Sequence, residues 1–112
     1  MKHNDFIDTV NDTLKHCCEL LLTKGVEYNS DEDDRLAVFK QTAAFERTTP
    51  QRALFGMLAK HLISVQNMCD TEIRDYSAER WLEKIGDAIN YLLLLEGLVK
   101  EEYQKEAKHE KH

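Results

Sequence analysis

One proline and four glycines in 112 residues leave little material for the tight turns of a sheet protein. A β-rich fold is disfavoured, and helices joined by short loops are expected. Basic charge is also in short supply, with 15 Lys and Arg against 21 Asp and Glu and a net charge of −6. That is the wrong sign for a protein whose affinity rests on neutralising backbone phosphates, so generic DNA or RNA binding is disfavoured. Apolar runs are short: the longest, Tyr91 to Leu95, is far below the roughly 20 residues of a membrane span. Met1-Lys2-His3-Asn4-Asp5 lacks the basic-then-apolar profile of a secretory signal, so the expected location is the cytoplasm. The three cysteines, Cys17, Cys18 and Cys69, are odd in number and contain no C-x-x-C pair. They are expected to be reduced and mostly buried thiols, forming neither a disulfide framework nor a zinc site. There is no phosphate-binding G-x-x-x-x-G-K-[ST] loop, no G-x-S-x-G elbow and no H-E-x-x-H pair.

The hydrophobic residues, 42% of the chain, suit one domain with one core, and their spacing predicts an all-α bundle of about four helices. The first runs from Asn4 or Asp5 to Lys24, with Phe6, Ile7, Val10, Leu14, Cys17, Cys18 and Leu21 on one stripe and Gly25 as its C-terminal cap. A polar, acidic connection leads to a second helix over about Asp33 to Arg47, burying Leu36, Phe39, Ala43 and Phe45. Thr49-Pro50 begins the third, Thr as N-cap and Pro at the first helical position, with Leu54, Met57, Leu58, His61, Leu62, Val65 and Met68 along one face. After a loop from Asp70 to Tyr76, Ser77 caps the longest helix, with Trp81, Ile85, Ala88, Ile89 and Leu92 to Leu95 as its apolar surface. Residues 1–100 form one helical domain. The charged tail, 101–112, is expected to fray into solvent.

Within the last helix Glu79, Glu83 and Asp87 recur at four-residue steps and Asn90 follows three later, so all four lie near one face. From Ala88 to Leu95 the helix is apolar almost all round. A carboxylate buried there must be paired, bound to metal or protonated. One reading is that Glu83 and Asp87 hold a divalent cation such as Mg²⁺, whose preference for hard oxygens suits carboxylates and phosphates. The other is that Asp87 pairs with Lys60, Arg35 or another cation. On the third helix, Lys60 and His61 stand together, His61 either as a hydrogen-bonded core residue or as part of a site. Lys24, Glu27, Tyr28, Asp31, Asp33, Asp34 and Arg35 form a second charged cluster. It is either a capped, solvated turn or a loop that closes over phosphates and adds metal ligands.

The stretch Glu83-Lys-Ile-Gly-Asp87-Ala-Ile-Asn-Tyr-Leu-Leu-Leu-Leu resembles the acidic helix of the MazG-like, all-α nucleoside triphosphate pyrophosphohydrolases. Lys24-Gly-Val-Glu-Tyr28 ending the first helix, Arg35 to Phe39, and Lys60-His61 on a central helix are similar in order to small MazG-like proteins of bacteriophages. The resemblance covers about residues 20 to 100. It implies cleavage of a nucleoside triphosphate to the monophosphate and pyrophosphate with Mg²⁺, and a homodimer or higher homo-oligomer. Asp87 matches the Asp of the family's E-x-x-D pair, with Glu83, one turn away, as the nearest acid because Lys84 stands three residues before Asp87. The family's first acidic pair has no counterpart on the third helix. Glu27, Asp33 and Asp34 are then the candidates for further metal ligands. Lys60, Arg35, Lys24 and Tyr28 would meet phosphate or nucleotide, with His61 and Asn90 donating hydrogen bonds. Two alternatives stand beside hydrolysis: a non-catalytic nucleotide-binding or sequestering protein on the same fold, and an α-helical module for protein interaction.

Overall fold

The first helix, α1, spans His3–Tyr28 and runs on through the expected cap at Gly25. The computed structural model describes residues 1–28 and 34–110, with side chains described over 1–23 and 34–108. The chain resumes in a turn held by Asp34, whose carboxylate accepts from the backbone N–H of Leu36 at 3.0 Å and from Lys40 Nζ at 2.9 Å. The second helix, α2, therefore starts at Ala37, later than the acidic run suggested, and ends at Glu46. Its end is a left-handed cap at Arg47, φ 59°. There the N–H of Thr48 reaches the Ala43 carbonyl at 2.9 Å and the N–H of Arg47 reaches that of Ala44 at 3.4 Å, a Schellman pattern that satisfies two terminal carbonyls.

Thr49 and Pro50 act as expected. The Thr49 hydroxyl accepts from the N–H of Arg52 at 3.3 Å, and α3 runs over Pro50–Cys69. A 3₁₀ turn at Ile73–Asp75 then delivers the chain to Ser77, which accepts from the N–H of Arg80 at 3.1 Å. Trp81 clamps this turn by donating its indole N–H to the Ile73 carbonyl at 2.9 Å. The last helix, α4, spans Ala78–Glu110, 33 residues and about 50 Å of axis. The tail expected to fray from Lys100 is helical through Glu110. Lys100 with Glu96 and Lys105 with Glu101, at 3.6 Å each, are i,i+4 pairs that support an otherwise solvated helix.

α4 is the spine on which α1 and α3 pack, and α2 packs on α3. The core is small: Leu36, Phe39, Leu54 and Leu98 form its centre, with Met57, Tyr91, Leu94 and Leu95 against it. Cys17, on α1, meets Gly86 of α4, while further along α1 the Leu21 carbonyl accepts from Arg35, whose neighbour Leu36 meets Gly97. The two helices therefore run in the same direction, and the first turns of α1 overhang the start of α4. Several residues expected to be buried are exposed instead. Phe45 is 91% accessible, and Phe6, Leu14, Leu62, Cys18 and Cys69 also face out. The periodicity marks these helical faces correctly, yet three short partners cannot cover all the apolar faces that the pattern provides. Among the described residues no helix is long and apolar enough to cross a membrane.

Candidate functional site

Asp87 sits on α4 between the helices that flank it. On the α3 side its Oδ2 lies 3.7 Å from His61 Nδ1, and the two side chains are 19% and 27% exposed. That distance is beyond a good hydrogen bond but close enough for charge to be felt across a half-buried site. On the α1 side is Cys17, fully buried, with its Sγ 3.8 Å from the Gly86 carbonyl. Burial pushes the Cys17 thiol pKa up, and the nearby Asp87 charge pushes it further. The carboxylate thus faces an imidazole on one helix and a neutral thiol on another.

One turn along α4, Asn90 is buried, 9% exposed, and its Oδ1 has no hydrogen-bond partner among the described residues. An amide acceptor left dry in a protein interior costs about 1–3 kcal/mol. Such an atom calls for an explanation, a ligand donor among them. Tyr91 completes the wall. Its ring lies 4.9 Å from that of His61, tilted by 33°, and meets the edge of Phe39 at 6.4 Å. This stacking fixes the imidazole against Asp87.

Sequence reasoning placed Asp87, His61 and Asn90 together; in the fold Asp87 meets His61 between α4 and α3, and Asn90 follows Asp87 by three residues on the same helix. Glu83 lies on the same face of α4 but is exposed and pairs with Arg80 at 3.3 Å. Lys60 is exposed, and the partner of Asp87 is His61. Arg35 donates its guanidinium to the Leu21 carbonyl at 2.7 Å, which ties the turn before α2 to α1. The carboxylate of Asp34 is held by Lys40, which also reaches Glu101 at 2.6 Å. The Lys40 ammonium beside it holds the Asp34 carboxyl pKa below the usual range. Glu101 and then Asp34 raise that of Lys40. Asp34 is thereby engaged in structure. Asp33 and the side chains of Lys24, Glu27 and Tyr28 lie outside the described residues.

Three residues of the neighbourhood were not singled out from sequence: Cys17 as the α1 wall, Tyr91 as the support of His61, and Lys40. Tyr91 carried a signal, since it follows Asp87 by four residues and so shares its face.

Among the described residues no three His, Cys, Asp or Glu side chains converge as a metal cage. Mg²⁺ commonly binds differently, through one or two carboxylates with substrate phosphates and water filling the remaining positions. Asp87, partly buried beside His61, fits that mode, whereas Glu83 one turn away is exposed and would have to leave Arg80 to join it. A separate groove of about 610 Å³ lies between the start of α3 and the far half of α4, lined by Thr49, Pro50, Leu98, Val99 and Tyr103 among others. Its α4 lining begins at Leu98, three turns beyond Asp87, so it is distinct from the polar cleft. Comparison of the chain with known protein families, with curated proteins and with solved structures finds no match.

Proposed function

We propose that the chain binds a nucleoside triphosphate at the Asp87 cleft and cleaves it, in the manner of the MazG-like proteins it resembles, to the monophosphate and pyrophosphate. The observation that carries the proposal is the dry Oδ1 of Asn90 beside the Asp87 and His61 pair. That part of α4 holds one buried acceptor without a donor among the described residues and one carboxylate whose described partner is the His61 imidazole at 3.7 Å. Base and sugar N–H or O–H groups answer the first, and a phosphate-bound cation answers the second.

Asp87 and Glu83 would hold Mg²⁺, which supplies charge neutralisation and polarises the phosphoryl group when bound. His61, kept in place by Tyr91, stands where it can hold a proton or donate to a phosphate oxygen. Asn90 orients the nucleoside through its amide. Lys60, exposed one residue before His61, would meet the outer phosphates with its ammonium. The absence of a third ligand among the described residues favours a second reading, in which the same cleft retains a nucleotide without cleaving it.

The experiment is a thermal-shift screen of the four NTPs, the four dNTPs and their monophosphates, with and without Mg²⁺, followed by pyrophosphate release on each hit. Metal-dependent stabilisation with release supports the enzyme, and stabilisation without release supports the binder. No stabilisation by any nucleotide removes both and leaves protein interaction as the role. Asp87→Asn should abolish metal-dependent turnover while leaving the fold intact, and unchanged turnover in that variant would remove Asp87 from the mechanism.

A further inference from the structure

Charge is unevenly placed along the chain. Residues 35–69, which hold α2 and α3, carry five basic residues and one acid, Glu46, a net charge of +4 in a chain whose total is −6. α3 itself, Pro50–Cys69, contains no Asp or Glu, although the chain has 21. Two of the five cations are engaged, Arg35 with the Leu21 carbonyl and Lys40 with Asp34 and Glu101. Arg47, Arg52 and Lys60 are exposed and form no salt bridge among the described residues.

The inner side of α3 is marked by Leu54, Leu58 and Met68, all buried. At about 100° per residue, the opposite side carries Arg52, Phe55, Ala59, Ile63 and Gln66, with Gly56 and Leu62 at its edges. Phe55, Leu62 and Ile63 are exposed by 44 to 55%. The Arg52 guanidinium lies 5.7 Å from the centroid of the Phe55 ring, so charge and apolar surface are presented together. A solvated helix face carries mixed charge, whereas this one is an apolar row with cations in and beside it. Gly56 adds a second sign of contact. A Cβ there would meet nothing within 4 Å, so no neighbour in the chain requires glycine, which is less stable than alanine inside a helix. It leaves room beside Ala59 for another backbone to come close.

We infer that the outward face of α3 docks an acidic amphipathic helix of another protein. The occupant is a helix because the row advances in three- and four-residue steps over residues 52–66, about 21 Å of axis, which is the template a helix of about four turns fits. It is acidic because Arg47, Arg52 and Lys60 have no carboxylate of their own, and α3 has no acid to repel one. Nucleic acid suits the face less well. Three cations are few for a polyanion, the rest of the chain is strongly negative, and Leu62 and Ile63 offer no ring on which a base can stack. The face lies across α3 from His61, whose ring meets Tyr91 of α4. The inference therefore goes beyond the nucleotide reading and does not rest on it.

Fluorescence anisotropy of a labelled synthetic peptide, titrated with the full chain, tests it. The probe is a helix of about 20 residues with Leu and Ile at heptad spacing and Glu on either side of them. It is compared with the same peptide carrying Lys for every Glu, and with oligothymidylate. The acidic peptide should bind with a Kd of about 1–100 µM that weakens with salt, and the lysine peptide at least about tenfold more weakly. Arg52→Glu and Ile63→Ser should each weaken the acidic peptide about tenfold or more, whereas Leu92→Ser, on the exposed side of α4, should leave it unchanged. Neither α3 substitution threatens the fold. Both side chains are exposed, and Arg52→Glu places a carboxylate three residues after Thr49, where a capping box favours it. No binding of the acidic peptide at about 100 µM would overturn the inference, as would equal binding of the two peptides or an affinity that either α3 substitution leaves unchanged. Weakening by Leu92→Ser to the same extent would move the contact to α4, and oligothymidylate binding that Arg52→Glu abolishes would reassign the face to nucleic acid. Either result would overturn it as well.

Discussion

Replacing Asn90 by leucine removes the amide oxygen that the fold buries without a donor among the described residues while keeping the branched four-atom outline of the side chain, though with a larger volume. In wild type, that acceptor is buried with no donor among the described residues, and an unsatisfied buried acceptor costs about 1–3 kcal/mol. Leucine is free of it and adds apolar contact beside Leu94, which packs against the core. Loss of whatever the amide nitrogen contributes sets against this, so we expect Asn90→Leu to be more stable than wild type by about 1–2 kcal/mol. In a domain of this length each kcal/mol moves the melting temperature by about 4–8 °C.

Stability should be read from urea titration at one fixed protein concentration, with linear extrapolation and a check that the slope is unchanged. The same samples, melted with and without nucleotide, should show the reverse order in binding. A nucleotide that stabilises wild type should leave the variant unmoved, since the donor it offered no longer has an acceptor. Gain of stability with loss of binding is the signature of a polar group retained for a ligand. If Asn90→Leu is instead less stable than wild type by more than about 1 kcal/mol, the amide has a structural partner in solution, and the case for a ligand at this position collapses.

Three further outcomes follow from other parts of the chain. Cys17 is fully buried with its thiol pKa pushed up, whereas Cys18 and Cys69 are exposed. A thiol reagent should therefore label Cys18 and Cys69 rapidly and Cys17 only on unfolding; rapid labelling of all three would contradict the packing of α1 on α4. Arg47 holds a left-handed backbone, φ 59°, so Arg47→Gly should stabilise by about 0.5–1 kcal/mol, measured by urea titration. Lys40 joins Asp34 to Glu101, with side chains about one-third exposed. Solvent screening reduces what Lys40→Met removes to about 1 kcal/mol near neutral pH. Asp34 has its carboxyl pKa lowered by folding, so its share is present above the ordinary carboxylate range and lost as pH falls through the folded value. Lys40 has its pKa raised, so its share is present below the ordinary lysine pKa and lost as pH rises through the folded value. The difference between wild type and Lys40→Met should hold from about pH 5 to about pH 10 and shrink on either side.

The helices were legible where local chemistry decides them. Thr49-Pro50 and Ser77 mark two helix starts through side-chain oxygens that answer specific N–H groups, a feature written in a few adjacent residues. The start of α2 was misplaced because Asp34 turns its carboxylate to Leu36 and Lys40, a competition between turn and helix that composition does not settle. The site was legible in part. Four-residue spacing aligns Glu83 with Asp87, but spacing says nothing of which side chain finds a partner outside the helix, and Arg80 takes Glu83. That Asp87 meets His61 rather than Lys60 depends on the rotation of α3 about its axis, which a tertiary contact sets. Cys17 belongs to the neighbourhood through a contact between residues 69 positions apart, beyond any local signal.

The segment Ala88 to Leu95 is apolar almost all round, a pattern that belongs to a helix covered on every side. In the folded chain it is covered on one side only. Asn90, Leu94 and Leu98 meet the bundle, while Leu92 and Leu93 are 52% and 42% exposed. Asp87 and Asn90 interrupt the side that faces the chain's own helices, where they sit beside His61 and Cys17. On the other side Glu96 is the single charge between Leu82 and Val99. A helix that needed one apolar face for its own core would place charge on the other, where hydration favours it. Apolar residues on the outer side of α4 exceed what the chain's own helices cover, and the polar interruption on the inner side is what the proposed nucleotide site would use. Under the proposed nucleotide reading the two faces separate, so Asn90→Leu should remove nucleotide binding while Glu96→Ile, on the outer face, should leave it unchanged.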